Sequence, residues 1–262
     1  MSTTSYSVHR PSRITLLRVF YAAASAVLLA CGANSTSSTS PTEAMVSVAS
    51  VVTASYKSAV TISTSGSSLV LRSEGIPDHV TPYWGVGKPL YEAQIAGHHV
   101  TPGSLMSQTF VMTIPASPAK ASNPEETSLG PIGMALNGVA IYNDREGGNV
   151  PLEVGVLQSF DRAGAHSGPG GLYHYHADGD FTSKDDAKLI GFLRDGFPIY
   201  GRKDAGGAYP TDLDANGGHT GTTADFPTAI YHYHTSRVNY LNGGYYVLKA
   251  GSYHGTKGTF SS

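Results

Sequence analysis

The chain has 262 residues, with 17 basic and 19 acidic side chains and a net charge of −2 at pH 7. That balance argues against binding nucleic acid or an anionic surface through a basic patch. With 31 glycines, 16 tyrosines and only 14 % charged residues, the composition suits a loop-rich β protein and not a helical bundle.

Residues 1–30 read as a secretory signal peptide. Arg10, Arg13 and Arg18 precede an apolar run from Val19 to Ala30 that is too short to span a bilayer. The end of that run, Leu28-Leu29-Ala30-Cys31, resembles a bacterial lipobox, which implies cleavage before Cys31 and a lipid on its sulfur. The expected location is therefore extracytoplasmic: a lipoprotein anchored at the outer membrane or cell surface through Cys31, or otherwise a secreted protein. Without the three leader arginines the count is 14 basic against 19 acidic residues, a net of −5. Cys31 is the single cysteine, so a lipidated chain has no disulfide, no thiolate metal site and no cysteine nucleophile. Residues 31–58 contain the Ser/Thr-rich run Ser35–Ser40 and read as a flexible tether. One domain then covers 59–262.

Strand signals dominate that domain. Val60–Ser63 and Leu69–Leu71 bracket Gly66 as a hairpin, and Phe110–Ile114 is a strand ended by Pro115. Ile132–Tyr142 and Ile190–Tyr200 each read as two short strands around Asn137-Gly138 or Asp195-Gly196, dipeptides that supply the positive φ angles of a tight hairpin. Tyr245–Leu248 is a further candidate strand, and single helical turns are expected near Asn123–Ser128 and Lys184–Lys188. The predicted fold class is all-β, mostly antiparallel, sandwich-like or barrel-like, with long Gly-rich loops and few short helices.

The chain also repeats itself. Tyr173-His174-Tyr175-His176 recurs letter for letter as Tyr231-His232-Tyr233-His234, and the Ile132 block recurs at Ile190, both 58 residues on. Between them, Phe160–Gly168 parallels Leu213–Gly221 at an offset of 53. Three blocks in one order point to an internal duplication, with units of about 132–176 and 190–234.

In a strand, residues i and i+2 share a face, so His174 and His176 point one way and Tyr173 and Tyr175 the other; His232 and His234 repeat the arrangement. Such a His-x-His pair gives two imidazoles to one metal, while the tyrosines pack behind the strand. Each unit adds a loop histidine, His166 or His219, and an aspartate five residues earlier, Asp161 or Asp214. These carboxylates are placed either to ligate or to fix a ligand's tautomer. Two arrangements stay open: one three-histidine site per unit, or one site shared by His174, His176, His232 and His234. With nitrogen ligands and no sulfur, a transition metal such as copper or zinc fits. Asp212–Gly217 begins like a calcium loop but lacks the glutamate an EF-hand needs, which makes calcium the weaker cofactor reading. A serine-hydrolase elbow of the Gly-x-Ser-x-Gly type is absent.

The doubled Tyr-His-Tyr-His, the Leu189–Gly201 run, Asp212–Thr220, Gly133–Val139, Gly75–His79 with Tyr83-Trp84, and Gly255–Thr259 together resemble the bacterial YHYH-domain proteins. The resemblance implies a secreted or surface-anchored domain and adds Asp78-His79 as a further candidate patch. It also implies an acidic residue and another histidine before the second Gly-His, where this chain has Ala215, Asn216 and Gly217.

Three functions compete on these residues. The first is a metal-binding lipoprotein that captures or buffers copper or zinc. The second is a metal-dependent hydrolase with Asp161, Asp195 or Asp214 as base. The third is a structural or adhesive module with a His/Tyr core network.

Overall fold

The computed structural model describes residues 46–179 and 186–262. The leader, Cys31 and the Ser/Thr-rich run Ser35–Ser40 lie outside the described residues, as does part of the turn expected near Lys184–Lys188.

The chain begins its described part with a helix where a tether was expected. α1, Val48–Ser55, is capped by Ser47, whose hydroxyl accepts from Ser50 N at 3.1 Å, and it buries Val48, Val51 and Val52. The helix is anchored by its apolar stripe, and Tyr56 just beyond it donates to Met134 O at 2.8 Å. The Val-rich stripe that does this was masked in the sequence by the adjoining low-complexity run.

Among the described residues, strands fall into two main sheets. The first sheet joins β1 (Thr61–Ser65), β2 (Ser68–Ser73) and β3 (Phe110–Pro115) to the last strand, β14 (Thr259–Ser261), all antiparallel. The second contains β4 (Gly133–Ala135), β5 (Ala140–Ile141), β8 (Ala165–Ser167), β9 (Tyr173–Tyr175), β10 (Leu189–Leu193), β11 (Pro198–Tyr200), β12 (Gly218–Gly221) and β13 (Ile230–His234). A small hairpin of β6 (Arg145–Glu146) and β7 (Val150–Pro151) stands apart, followed by the short α2 (Val154–Leu157).

The order of the second sheet is β12-β13-β11-β10-β4-β5-β9-β8. Its two halves run outward from the centre with matching partners. β4 pairs β5 antiparallel and β5 pairs β9 parallel; β10 pairs β11 antiparallel and β11 pairs β13 parallel. At the centre β4 and β10 are antiparallel, with Met134 opposite Phe192.

The turn within each half differs from the expected tight hairpin. Gly138 N bonds Ala135 O and Ala135 N bonds Val139 O, with positive φ at Gly138 (88°) and not at Asn137; Gly196 (84°) repeats this. These are three-residue turns, so Asn137 and Asp195 keep ordinary backbone and turn their side chains inward.

Both faces of the second sheet are covered. On one, Met134, Ala140, Phe192 and Tyr200 pack with α1 and with Leu69, Leu71, Phe110, Met112 and Ile114 of the first sheet. On the other, Tyr173, Tyr175, Tyr231 and Tyr233 join Ile132, Ile141, Ile190, Ile199 and Tyr253 in a second core. This is a mostly antiparallel β sandwich, as the pattern of short strands predicts. Tyr245–Leu248 is not a strand: Tyr245, Val247 and Leu248 are buried as part of an irregular segment that covers α2 and the tyrosine core. Asn123–Ser128 likewise forms no helical turn and makes a single bridge, Glu126 to Ser252.

Candidate metal centres

Strand register decides which side chains meet. In β8 and β9, His166 lies opposite His174; in β12 and β13, His219 lies opposite His232. His176 and His234 follow two residues on along the same face. The tyrosines alternate with them and point into the opposite core, as the period-two pattern requires.

Each trio of histidines meets a carboxylate that the sequence reading missed. The first cluster is Glu146, His166, His174 and His176, and the second is Asp204, His219, His232 and His234. In each, four candidate ligand atoms lie within 4.8 Å of one another. His166 Nε2 is 3.0 Å from His174 Nε2, and Glu146 Oε1 is 3.3 Å from both His166 Nε2 and His176 Nε2. In the second cluster His219 Nε2 lies 3.1 Å from His232 Nε2 and 3.3 Å from His234 Nε2, while Asp204 Oδ1 lies 3.1, 4.0 and 3.4 Å from the three imidazoles. The two clusters are separate, so the shared four-histidine site does not form.

The other ring nitrogens fix the tautomers. His174 Nδ1 contacts Leu172 O at 3.1 Å and His232 Nδ1 contacts Ile230 O at 3.0 Å. His176 Nδ1 contacts Asn143 O at 2.5 Å, and His234 Nδ1 contacts Gly201 O at 2.7 Å. A carbonyl only accepts, so each Nδ1 carries the hydrogen and each Nε2 keeps its lone pair. His219 Nδ1 contacts the Asp212 carboxylate at 2.8 Å, with the same consequence. His166 Nδ1 contacts Ser159 Oγ at 2.7 Å, and that hydroxyl spends its own hydrogen on Val156 O at 2.6 Å. His166 therefore donates through Nδ1 as well.

Six imidazole lone pairs thus converge in two groups of three, each facing a carboxylate. Acceptor atoms at such separations repel unless a cation lies among them. In the first cluster Glu146 Oε1 and His176 Nε2 are buried with no hydrogen-bond partner, an expensive arrangement without a cation. A tetrahedral metal with imidazole bonds of about 2.0–2.1 Å sets its ligand atoms about 3.3–3.4 Å apart, and the separations above run from 3.0 to 3.3 Å in the first cluster and from 3.1 to 4.0 Å in the second. The residues of each cluster could hold a metal ion, offering it three imidazoles and one carboxylate.

Electrostatics keep the ligands ready. Burial holds His166, His174 and His234 below the ordinary imidazole value and lowers His232 to about 4. These rings are neutral at pH 7, the form a metal requires.

The remaining candidates lie elsewhere. Asp161 and Asp214 neither ligate nor orient the histidines. Asp161 is buried and accepts from Tyr173 Oη and Thr81 Oγ1, each at 2.5 Å, and from Ala163 N at 2.9 Å. Asp214 accepts from Tyr231 Oη at 2.9 Å and from Asn216 N at 2.8 Å. Both close their own loop and anchor a tyrosine on the opposite face. Asp195 is the same kind of group: it accepts from Tyr233 Oη at 2.6 Å and Gly255 N at 2.9 Å. Asp78 pairs with Lys57 at 2.6 Å and accepts from Asn137, while His79 contacts Tyr175 Oη at 2.9 Å, so this patch supports the tyrosine core. Asp212 and Asp214 are committed to different partners, and among the described residues no metal-capable cluster joins them.

A signal for the missed carboxylates existed. Glu146 and Asp204 are themselves 58 residues apart, four beyond Tyr142 and Tyr200 where the matching blocks were taken to end. Ser159 and Asp212 occupy matched positions as well, at the offset of 53.

Fold and site together define a β-sandwich protein with two histidine–carboxylate clusters. Residues 111–210 match the family described as YHYH protein, in agreement with the resemblance carried by the motifs. The matched segment contains all of the first cluster and Asp204 of the second. No curated protein and no solved structure matches the chain.

Proposed function

We propose that this protein is an extracytoplasmic metal-binding lipoprotein that holds two transition-metal ions of the zinc or copper type, one per cluster. The observation that carries this reading is the fixed tautomer set: in both clusters every histidine donates through Nδ1, leaving three Nε2 lone pairs and a carboxylate oxygen converging with no hydrogen between them. A hydrogen-bonded core network would pair donors with acceptors. Here, acceptor meets acceptor. Zinc is favoured by the tetrahedral spacing and the nitrogen–oxygen donor set.

The palindromic strand order and the matched partners of the two halves support an internal duplication, in which one metal-binding unit was copied. The signal peptide and the lipobox-like Leu28–Cys31 support export and anchoring through the Cys31 lipid. The hydrolase reading loses its bases, since Asp161, Asp195 and Asp214 all lie with the tyrosines.

The test is metal content. The full chain, purified and equilibrated with zinc, is expected to carry two equivalents by mass spectrometry. His174→Ala/His176→Ala and His232→Ala/His234→Ala are each expected to carry one. A folded protein with no bound metal would contradict the reading.

A further inference from the structure

The two clusters are alike inside and unlike outside. A cleft of about 720 Å³ opens onto the first, and Glu146, His166 and His174, three of its four ligand residues, form part of the wall. The rest of the wall is largely apolar, with Leu129, Val156 and Leu172 among its side chains, and Arg145 lies beside Glu146. The second cluster borders a smaller cleft of about 340 Å³ through His234 alone.

Resting on the metal reading above, we propose that the first cluster is a ligand-binding centre for a small amphipathic carboxylate, whose head group binds the metal and whose apolar body fills this cleft. Four observations converge on that ligand. The volume falls in the range of small-molecule sites, and such sites are mostly apolar with a few polar groups. The metal would be reached from the cleft side, where tetrahedral zinc can expand to a fifth ligand. A divalent ion and the Arg145 guanidinium, set against Glu146 and Asp144, still leave this end of the cleft net positive, which selects an anion. Arginine binds carboxylates through paired donors; the Arg145 side chain is 36 % exposed and, among the described residues, makes a contact of 3.3 Å to Asn149 O and a long one of 3.8 Å to Asp144. No covalent step is involved. The ligand adds one oxygen to the coordination sphere and leaves the three imidazoles in place.

The experiment uses the full chain loaded with cobalt(II), whose visible absorption reports coordination number, after metal content has been measured. Hexanoate, acetate and hexanol are titrated in parallel. Hexanoate is expected to shift the spectrum of one of the two cobalt ions, saturating at a concentration at least about tenfold below that of acetate, because each buried CH₂ adds about 0.8 kcal/mol. Hexanol is expected to leave the spectrum unchanged. Leu129→Trp, which narrows the cleft at a wall position that is 44 % exposed, and Arg145→Gln, which removes the guanidinium, are each expected to weaken hexanoate about tenfold with both cobalt ions retained. Two bound cobalt ions with hexanoate no better than acetate would overturn this proposal and leave the metal reading standing. A folded chain that binds no cobalt would overturn both.

Discussion

The two halves of the large sheet build the same inner shell from different surroundings. In the first, His166 is oriented by the Ser159 hydroxyl, buried at 2 % exposure; in the second, His219 is oriented by the Asp212 carboxylate, whose side chain is 69 % exposed. Tyr142 packs 4.0 Å from the ring of His174, whereas its counterpart Tyr200 lies 5.5 Å from His232 and donates its hydroxyl to Asp225 at 3.0 Å. Phe160 stacks on His176 at 5.2 Å in the first half, joining the apolar cluster around α2. What the halves share is the set that a metal needs: three Nε2 atoms, one carboxylate oxygen and Nδ1 donors that fix the rings. What they do not share sets charge and access. The second centre carries an extra negative partner, Asp212; the first has more apolar surroundings and borders a cleft.

That contrast can be broken most severely by removing one ligand at a time. His176→Ala is expected to abolish metal binding at the first centre alone, and His234→Ala at the second alone, each lowering the content from two ions to one. Circular dichroism would confirm that the sandwich persists. If either change emptied both centres, the halves would not be independent.

Acid is the next largest perturbation. Burial lowers the folded value of His232 to about 4, while the same ring in the unfolded chain titrates near 6.5. Between those values the unfolded state binds more protons, so metal-free stability falls as pH drops through this window. His166, His174 and His234 are shifted the same way by burial. Protons also compete for the metal-binding nitrogens, so both ions are expected to leave between about pH 6.5 and 4. A metal-sensitive dye followed down a pH titration reads this; retention of both ions at pH 4 would show that imidazoles do not hold them.

A finer change separates the orienting groups. Asp212→Ala is expected to weaken the second centre by about 10–100-fold, the usual effect of losing a partner that fixes a ligating imidazole. Ser159→Ala is expected to weaken the first centre less, since a neutral hydroxyl raises ligand basicity less than a carboxylate. Competition with a chelator of known affinity measures both. Equal effects would mean that the extra charge is irrelevant.

The smallest contrast lies on the tyrosine face. Tyr233→Phe leaves the buried Asp195 carboxyl short of its 2.6 Å donor and is expected to cost about 1–3 kcal/mol, whereas Tyr175→Phe removes contacts of 3.0 Å with Asn137 and 2.9 Å with the part-exposed His79 and is expected to cost about 1 kcal/mol. Urea denaturation of both variants checks the ordering.

Much of this was written in the local pattern. Period-two alternation correctly assigned His174 and His176 to one face and Tyr173 and Tyr175 to the core, because both faces of a strand are set by neighbouring residues alone. His166 and His219, expected in Gly-rich loops, lie on strands β8 and β12, and it is their pairing with β9 and β13 that sets them opposite His174 and His232. The carboxylates were not legible, because Glu146 and Asp204 come from a small hairpin and an irregular loop with no periodic signature. Their proximity to the histidines depends on how those loops fold back. Asp161 and Asp214 looked like partners of the nearby histidines, yet an aspartate that caps its own turn and meets a tyrosine hydroxyl has no free oxygen to lend. α1 escaped notice because a short valine stripe is weak beside a long Ser/Thr-rich run, and only packing against the first sheet gives it meaning.

The central claim is two metal ions, one per half, each at the convergence of three Nε2 atoms and a carboxylate. Anomalous diffraction at the zinc edge, on crystals of the zinc-equilibrated protein, tests it most directly. Two peaks are expected, one among Glu146, His166, His174 and His176 and one among Asp204, His219, His232 and His234. A map with no peak at either position, from folded protein grown in zinc, would contradict it.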